Sequence, residues 1–69
     1  MSGHVYKKVE LVGSSAISIE DAIDNAISMA EKSIKNMDWF EVIGTRGHIQ
    51  DGKVAHYQVE LKVGFRVDG

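Results

Sequence analysis

Cysteine is absent from the 69 residues. That excludes disulfides and thiolate metal sites, and it suits a reducing compartment. Tryptophan occurs once, and aromatic residues make up only 7% of the chain. No apolar run approaches the ~20 residues of a membrane span. The opening MSGHVYKKVE lacks the apolar segment of a signal peptide. Basic residues are not clustered either: lysines and arginines are spread along a chain of formal charge −2, whereas a nucleic-acid binder presents a basic face. The glycine patterns of dinucleotide and P-loop sites are missing. Ser14 and Ser15 have no nucleophile-elbow context. The three histidines, His4, His48 and His56, are too scattered to suggest a closed metal site. These absences lead us to expect a soluble cytoplasmic protein with no membrane or nucleic-acid partner.

Length sets a further constraint. Residues 1–69 allow a single domain. A chain this short buries only about 60% of the surface its unfolded form exposes. Small domains compensate with disulfides, a metal or association. With the first two disfavoured, self-association is the expected stabiliser.

Residues 4–12, HVYKKVELV, are rich in β-branched and aromatic types, with Val5, Val9 and Leu11 on one face, and predict a first strand. GSSAIS then reads as a loop whose last serine opens a capping box, Ser18 with Asp21. Behind it Ile23, Ile27, Ala30, Ile34 and Met37 recur at helical spacing. Glu20, Asp21 and Asp24 stand near the positive end of the helix dipole, and Lys32 and Lys35 near the negative end. Glu31 precedes Lys35 by one helical turn, the better orientation for an ion pair. Residues 38–50 and 53–67 flank Asp51-Gly52, a strong signal for a two-residue type I′ hairpin. In the second of these strands Ala55, Tyr57, Val59, Leu61, Val63, Phe65 and Val67 share one face. His56, Gln58, Glu60, Lys62, Gly64 and Arg66 share the other. The predicted fold is α+β, in the order β-α-β-β, with one helix against the apolar face of an antiparallel sheet. A helix of about 18 residues spans ~27 Å and a strand of about 15 residues ~50 Å. One helix cannot cover such a sheet, and a second copy of the chain is the nearest candidate to do so.

With Asp51 and Gly52 as the turn, Glu41 faces Lys62 as a cross-strand ion pair and Trp39 faces Gly64. Trp39 then points away from the helix, over a glycine that leaves room above it. Two readings stand at this point: an anchor packed against a neighbouring subunit, or a platform for a flat ligand. Arg46 lies between Gly44 and Gly47, where a bulge is permitted. Strict register puts it on the opposite face from Trp39, so a bulge is required if the two cooperate. Gln58 offers a paired donor and acceptor to a heterocycle's amide edge. Taken alone, Arg46 and Gln58 are ordinary solvated strand residues. The same count puts His48 and His56 on opposite faces.

VYKKVELVG, DWFEV, RGHI and YQVELKVGFR occur in this order along nearly the whole chain, and together they resemble the dodecins, small flavin-binding proteins, in their bacterial form. The resemblance implies a three-stranded antiparallel sheet curled around one helix. It also implies a hollow homododecamer that holds flavins in pairs between subunits. By the same resemblance Trp39 stacks on the isoalloxazine, Gln58 meets its polar edge, and Arg46 goes with FMN rather than riboflavin. Coenzyme A on the outer surface is a further implied ligand, with Tyr6, Lys8 and Arg66 as its counterparts. Trp39 and Gln58 lie roughly 20 Å apart along the hairpin, farther than a flavin ring reaches. If both touch one flavin, they come from different subunits, which favours the platform. The expected role is flavin storage, buffering and protection against flavin photochemistry, not catalysis, because no general base, nucleophile or second-substrate funnel is evident. The rivals are a small flavin-dependent electron-transfer protein and a ligand-free structural module.

Overall fold

The computed structural model describes residues 3–67. It has the order β1 (Tyr6–Ser15), α1 (Ile19–Ala30), β2 (Met37–Gln50) and β3 (Lys53–Arg66). One three-stranded sheet has β3 in the middle, antiparallel to both β1 and β2. The predicted β-α-β-β order and the hairpin are therefore present. Asp51 and Gly52 both have positive φ, 54° and 74°, as a type I′ turn requires.

The first strand starts and ends later than its β-branched run suggested, and takes in Gly13, Ser14 and Ser15 from the predicted loop. Ser15 is buried and ties the strand to the helix. Its hydroxyl donates to Asp21 Oδ2 at 2.6 Å and accepts from the Ile17 and Ser18 amides at 2.8 and 3.3 Å. Ser18 caps the helix by accepting from the Asp21 amide at 3.0 Å. Half of the predicted capping box thus forms. The Asp21 carboxylate turns to Ser15 instead of returning to the Ser18 amide.

The helix has 12 residues, shorter than the apolar periodicity predicted. After Ala30 the chain tightens into bonds from Lys32 N to Met29 O and Ser33 N to Ala30 O, the three-residue spacing typical of a closing turn. Asn36 then takes a left-handed φ of 62°, which asparagine tolerates better than most residues. Ile34 and Met37 keep the helical spacing in sequence because both remain half-buried, not because both are helical. Met37 belongs to β2 and packs on the core from there. Lys32 and Lys35 lie beyond the helix, so its last turn carries no basic residue and the Glu31–Lys35 helical pair does not form.

Ala22, Ala26 and Ala30 are the buried face of α1, with Ile23 and Ile27 on its flank. They meet Val59, Leu61 and Val63 of β3, all fully buried. Each such side chain contributes about 1.5–3 kcal/mol relative to exposure. Small residues allow this close approach. A Cβ on Gly13 would run into the Ala22 carbonyl and stand 3.0 Å from the Ala26 Cβ.

The helix packs over β1 and β3, leaving edge strand β2 without a layer above it. Phe40 and Val42 face the helix side opposite Val63 and Leu61, yet remain 46% and 44% exposed. The chain measures 57 × 21 × 14 Å, with a radius of gyration of 14.4 Å. A compact chain of this length has ~11 Å.

Candidate functional site

The face of the sheet away from the helix is built in rows, one residue from each strand. Tyr6 stands beside Arg66, Lys8 beside Gly64 and Trp39, and Glu10 beside Lys62 and Glu41. Val12 then stands beside Glu60 and Gly44, and Ser14 beside Gln58 and Arg46. Trp39 is opposite Gly64 as predicted. Its indole lies so close across the glycine that a Cβ there would overlap Cε2 and Cζ2. Gly64 is buried beneath it, while Trp39 keeps 40% of its surface exposed. The result is a flat aromatic surface supported from below and open above.

Tyr6 and Lys8 border this platform. The Tyr6 ring centroid is 6.4 Å from that of Trp39 at 57°, and Lys8 Nζ lies 5.7 Å from the indole centroid. Glu41 stands opposite Lys62 as expected, but its carboxylate also reaches across β3 to Lys8 Nζ at 3.4 Å. Both side chains are about half exposed, so this pair adds little stability, ~0–1 kcal/mol. Tyr6, Lys8 and Arg66, predicted as a separate outer-surface group, fall on the same face as Trp39 and at the same end.

Three irregularities in β2–β3 pairing set the rest of the face. The register shifts between Met37 and Trp39, between Val42 and Gly44, and between His48 and Ile49. The second leaves Ile43 as the extra residue on β2, beside Gly44, where a bulge was required. The third leaves Ala55 as the extra residue on β3, which takes Ala55 out of the alternation that holds from His56 onward. The second and third shifts compensate, so the stretch between them, Gly44–His48, moves by one residue relative to β3 and the pairing beyond it is restored. That displacement brings Arg46 opposite Gln58 on the face Trp39 occupies. Arg46 Nε donates to Gln58 Oε1 at 3.1 Å, and Gln58 Nε2 donates to Ser14 Oγ at 3.4 Å. The same displacement corrects the histidine assignment. His48 and His56 are not on opposite faces but directly opposed, with rings stacked at 4.5 Å. Sequence periodicity misses this because a bulge inverts every side chain beyond it. Ser14 joins the same row because β1 continues through the serines whose composition predicts a loop.

The site therefore has two separate parts on one face. At one end is an aromatic platform bordered by cations, and at the other a polar row Arg46–Gln58–Ser14. Gly64 and Gln58 are six residues apart on β3, ~20 Å. These features define a β-α-β-β protein whose free sheet face carries an exposed, glycine-backed tryptophan. The dodecin family profile matches residues 5–68. A dodecin of Thermus thermophilus is 52% identical over 66 residues, covering 96% of both chains. The structure of the dodecin from Streptomyces davaonensis superposes with a TM-score of 0.93 at 46% identity, covering 99% of this chain and all of that one. That of the Streptomyces coelicolor dodecin gives the same TM-score and identity over 100% of this chain and 99% of that one. The chain belongs to the dodecin family.

Proposed function

We propose that this protein binds flavin, with FMN the preferred form, in stacked pairs between subunits of a hollow homododecamer. Its role is to store and buffer flavin and to suppress flavin photochemistry. The observation that carries this is Trp39: a single tryptophan held flat over Gly64 and left open on its other face. A residue meant only to fill a core is not placed on the solvent side of a sheet. An isoalloxazine supplies the missing partner surface, and stacking on an aromatic side chain contributes roughly 1–3 kcal/mol per base-sized ring.

Arg46, Gln58 and Ser14 are too far from Trp39 to meet the same ring within one chain. Across a subunit interface they supply what flavin's polar edge needs, a carboxamide with both donor and acceptor. Arg46 already holds the Gln58 carbonyl and orients its amide. Arg46, or the group Lys8 and Arg66 beside the platform, supplies positive charge for the FMN phosphate. The same basic and aromatic group, Tyr6, Lys8 and Arg66, suits a phosphorylated nucleotide such as coenzyme A.

Indole in van der Waals contact with excited flavin donates an electron and takes it back within the contact pair, which returns both to the ground state before the excited flavin reacts with oxygen or another solute. Binding, not turnover, is what these residues support. No helix among the described residues is long and apolar enough to cross a membrane, and we place the protein in the cytoplasm.

The test is the absorbance of the purified protein, followed by titration of the ligand-free form with FMN. Yellow protein, or uptake of FMN with loss of flavin fluorescence, supports flavin binding. Colourless protein that takes up no FMN overturns it and leaves Trp39 as an interface anchor. Steady oxidation of NAD(P)H by the loaded protein would favour the electron-transfer alternative.

A further inference from the structure

His48 and His56 have no part in the flavin site proposed above. They are register partners on β2 and β3, and their imidazoles stack with centroids 4.5 Å apart and planes inclined by 24°. The pairing depends on the bulge at Ile43. Without that extra residue His48 would stand opposite Ala55 and point to the helix side. His48 is exposed and His56 half-buried, so a solute reaches both from the free face of the sheet.

We infer that this pair is a bidentate site for a late first-row divalent cation of the zinc, cobalt or nickel type. Imidazole nitrogen suits these ions, whereas calcium and magnesium take oxygen ligands. Two nitrogens bound at about 2.0–2.1 Å to one tetrahedral ion lie roughly 3.4 Å apart. Rings with centres 4.5 Å apart and planes inclined by 24° are near that spacing, and binding requires the two imidazoles to turn so that a nitrogen lone pair of each, which lies in its ring plane, points at the same ion. The backbone beneath them is already held. On one side is the Asp51-Gly52 turn, and on the other the Arg46–Gln58 bond. Two ligands on adjacent strands of a fixed ladder therefore lose little freedom on binding.

The described residues hold no group of three or more His, Cys, Asp or Glu able to take a metal. The ion at this pair keeps open positions for water or an anionic oxygen, as an exchangeable site does and a closed structural site does not. Arg46, one row away on the same face, favours an anion in those positions. The site stands on the β2–β3 geometry alone and is independent of flavin.

Zinc titrated calorimetrically into the purified protein tests it, in a His4→Ala background that removes the chain's other histidine. Cobalt absorbance is the second readout. The expected result is saturable binding of up to one ion per chain, with visible cobalt bands and no response to magnesium. His48→Gln and His56→Gln should each weaken zinc by at least about tenfold, since even second-shell changes cost 10–100-fold. Circular dichroism and light scattering should stay unchanged. No binding at millimolar zinc, or affinity lost with only one of the two substitutions or with neither, overturns the site.

Discussion

At Gly64 a hydrogen stands where every other residue would place a carbon, and the Trp39 indole uses that space. Gly64→Ala should push the ring off the sheet without touching the helix-side core. Its effect on FMN binding should resemble loss of the ring itself. For Trp39→Ala the stacking magnitude of roughly 1–3 kcal/mol translates to about one to two orders of magnitude in affinity. Fluorescence titration measures both variants. FMN bound to the parent protein should be nearly dark, and at saturation it should regain emission in Trp39→Ala. Trp39→Phe should keep more affinity than Ala but lose much of the quenching, because phenylalanine is a poor electron donor. A Gly64→Ala variant with parental affinity would show that the glycine-backed geometry is not what binds flavin.

Elements meet most closely where β1 passes under α1. Gly13, Ala22 and Ala26 let helix and strand approach, and Ser15 locks the approach by hydrogen bonds to Asp21, Ile17 and Ser18. Gly13→Ala places a methyl group against the Ala22 backbone, which cannot yield as a flexible side chain would. Overpacking of this kind costs about 1–3 kcal/mol. Ser15→Ala removes an acceptor from two amides and a donor from a carboxylate in a buried place, again about 1–3 kcal/mol. Both should lower the urea midpoint, and neither should alter the Trp39 environment. Spacing of the midpoints by denaturation, read on the folded assembly with and without FMN, checks the two together.

An elongated chain with an uncovered edge strand is not a stable endpoint by itself. The apolar side chains of β2, Phe40, Val42 and Ile43, are each close to half exposed, and no second layer among the described residues lies over them. Light scattering should give a mass many times the 7.6 kDa of one chain. Val42→Asp leaves the fully buried residues of β3 untouched but puts a charge on the uncovered face. It should shift the protein to monomers or small species and weaken FMN binding with it, as the proposed site between subunits requires. A parental mass for Val42→Asp would place the subunit contacts elsewhere. Charge acts at the same scale. FMN should bind more tightly than riboflavin at low ionic strength, and the advantage should shrink as salt screens the phosphate contact. Equal affinities at every salt concentration would exclude that contact.

The order of elements, the hairpin turn and the pairing of Trp39 with Gly64 are all legible in the amino-acid sequence. All three rest on local chemistry: period-two alternation in β3, a serine at the helix start, and Asp-Gly where positive φ is needed. The family was readable too, since several short segments agreed in order and spacing. The helix end was not readable, because Ile34 and Met37 keep a buried periodicity after the helix itself has stopped. Nor was the joining of Arg46 to Gln58, or of His48 to His56. Those depend on extra residues at Ile43 and Ala55 on opposite strands, and whether a strand accommodates such a residue is settled by what packs on both of its faces. Only the folded sheet, with its turn fixed at one end and Trp39 seated on Gly64 at the other, forces the two shifts to compensate and turns Arg46 and His48 of β2 toward the face that Trp39 occupies.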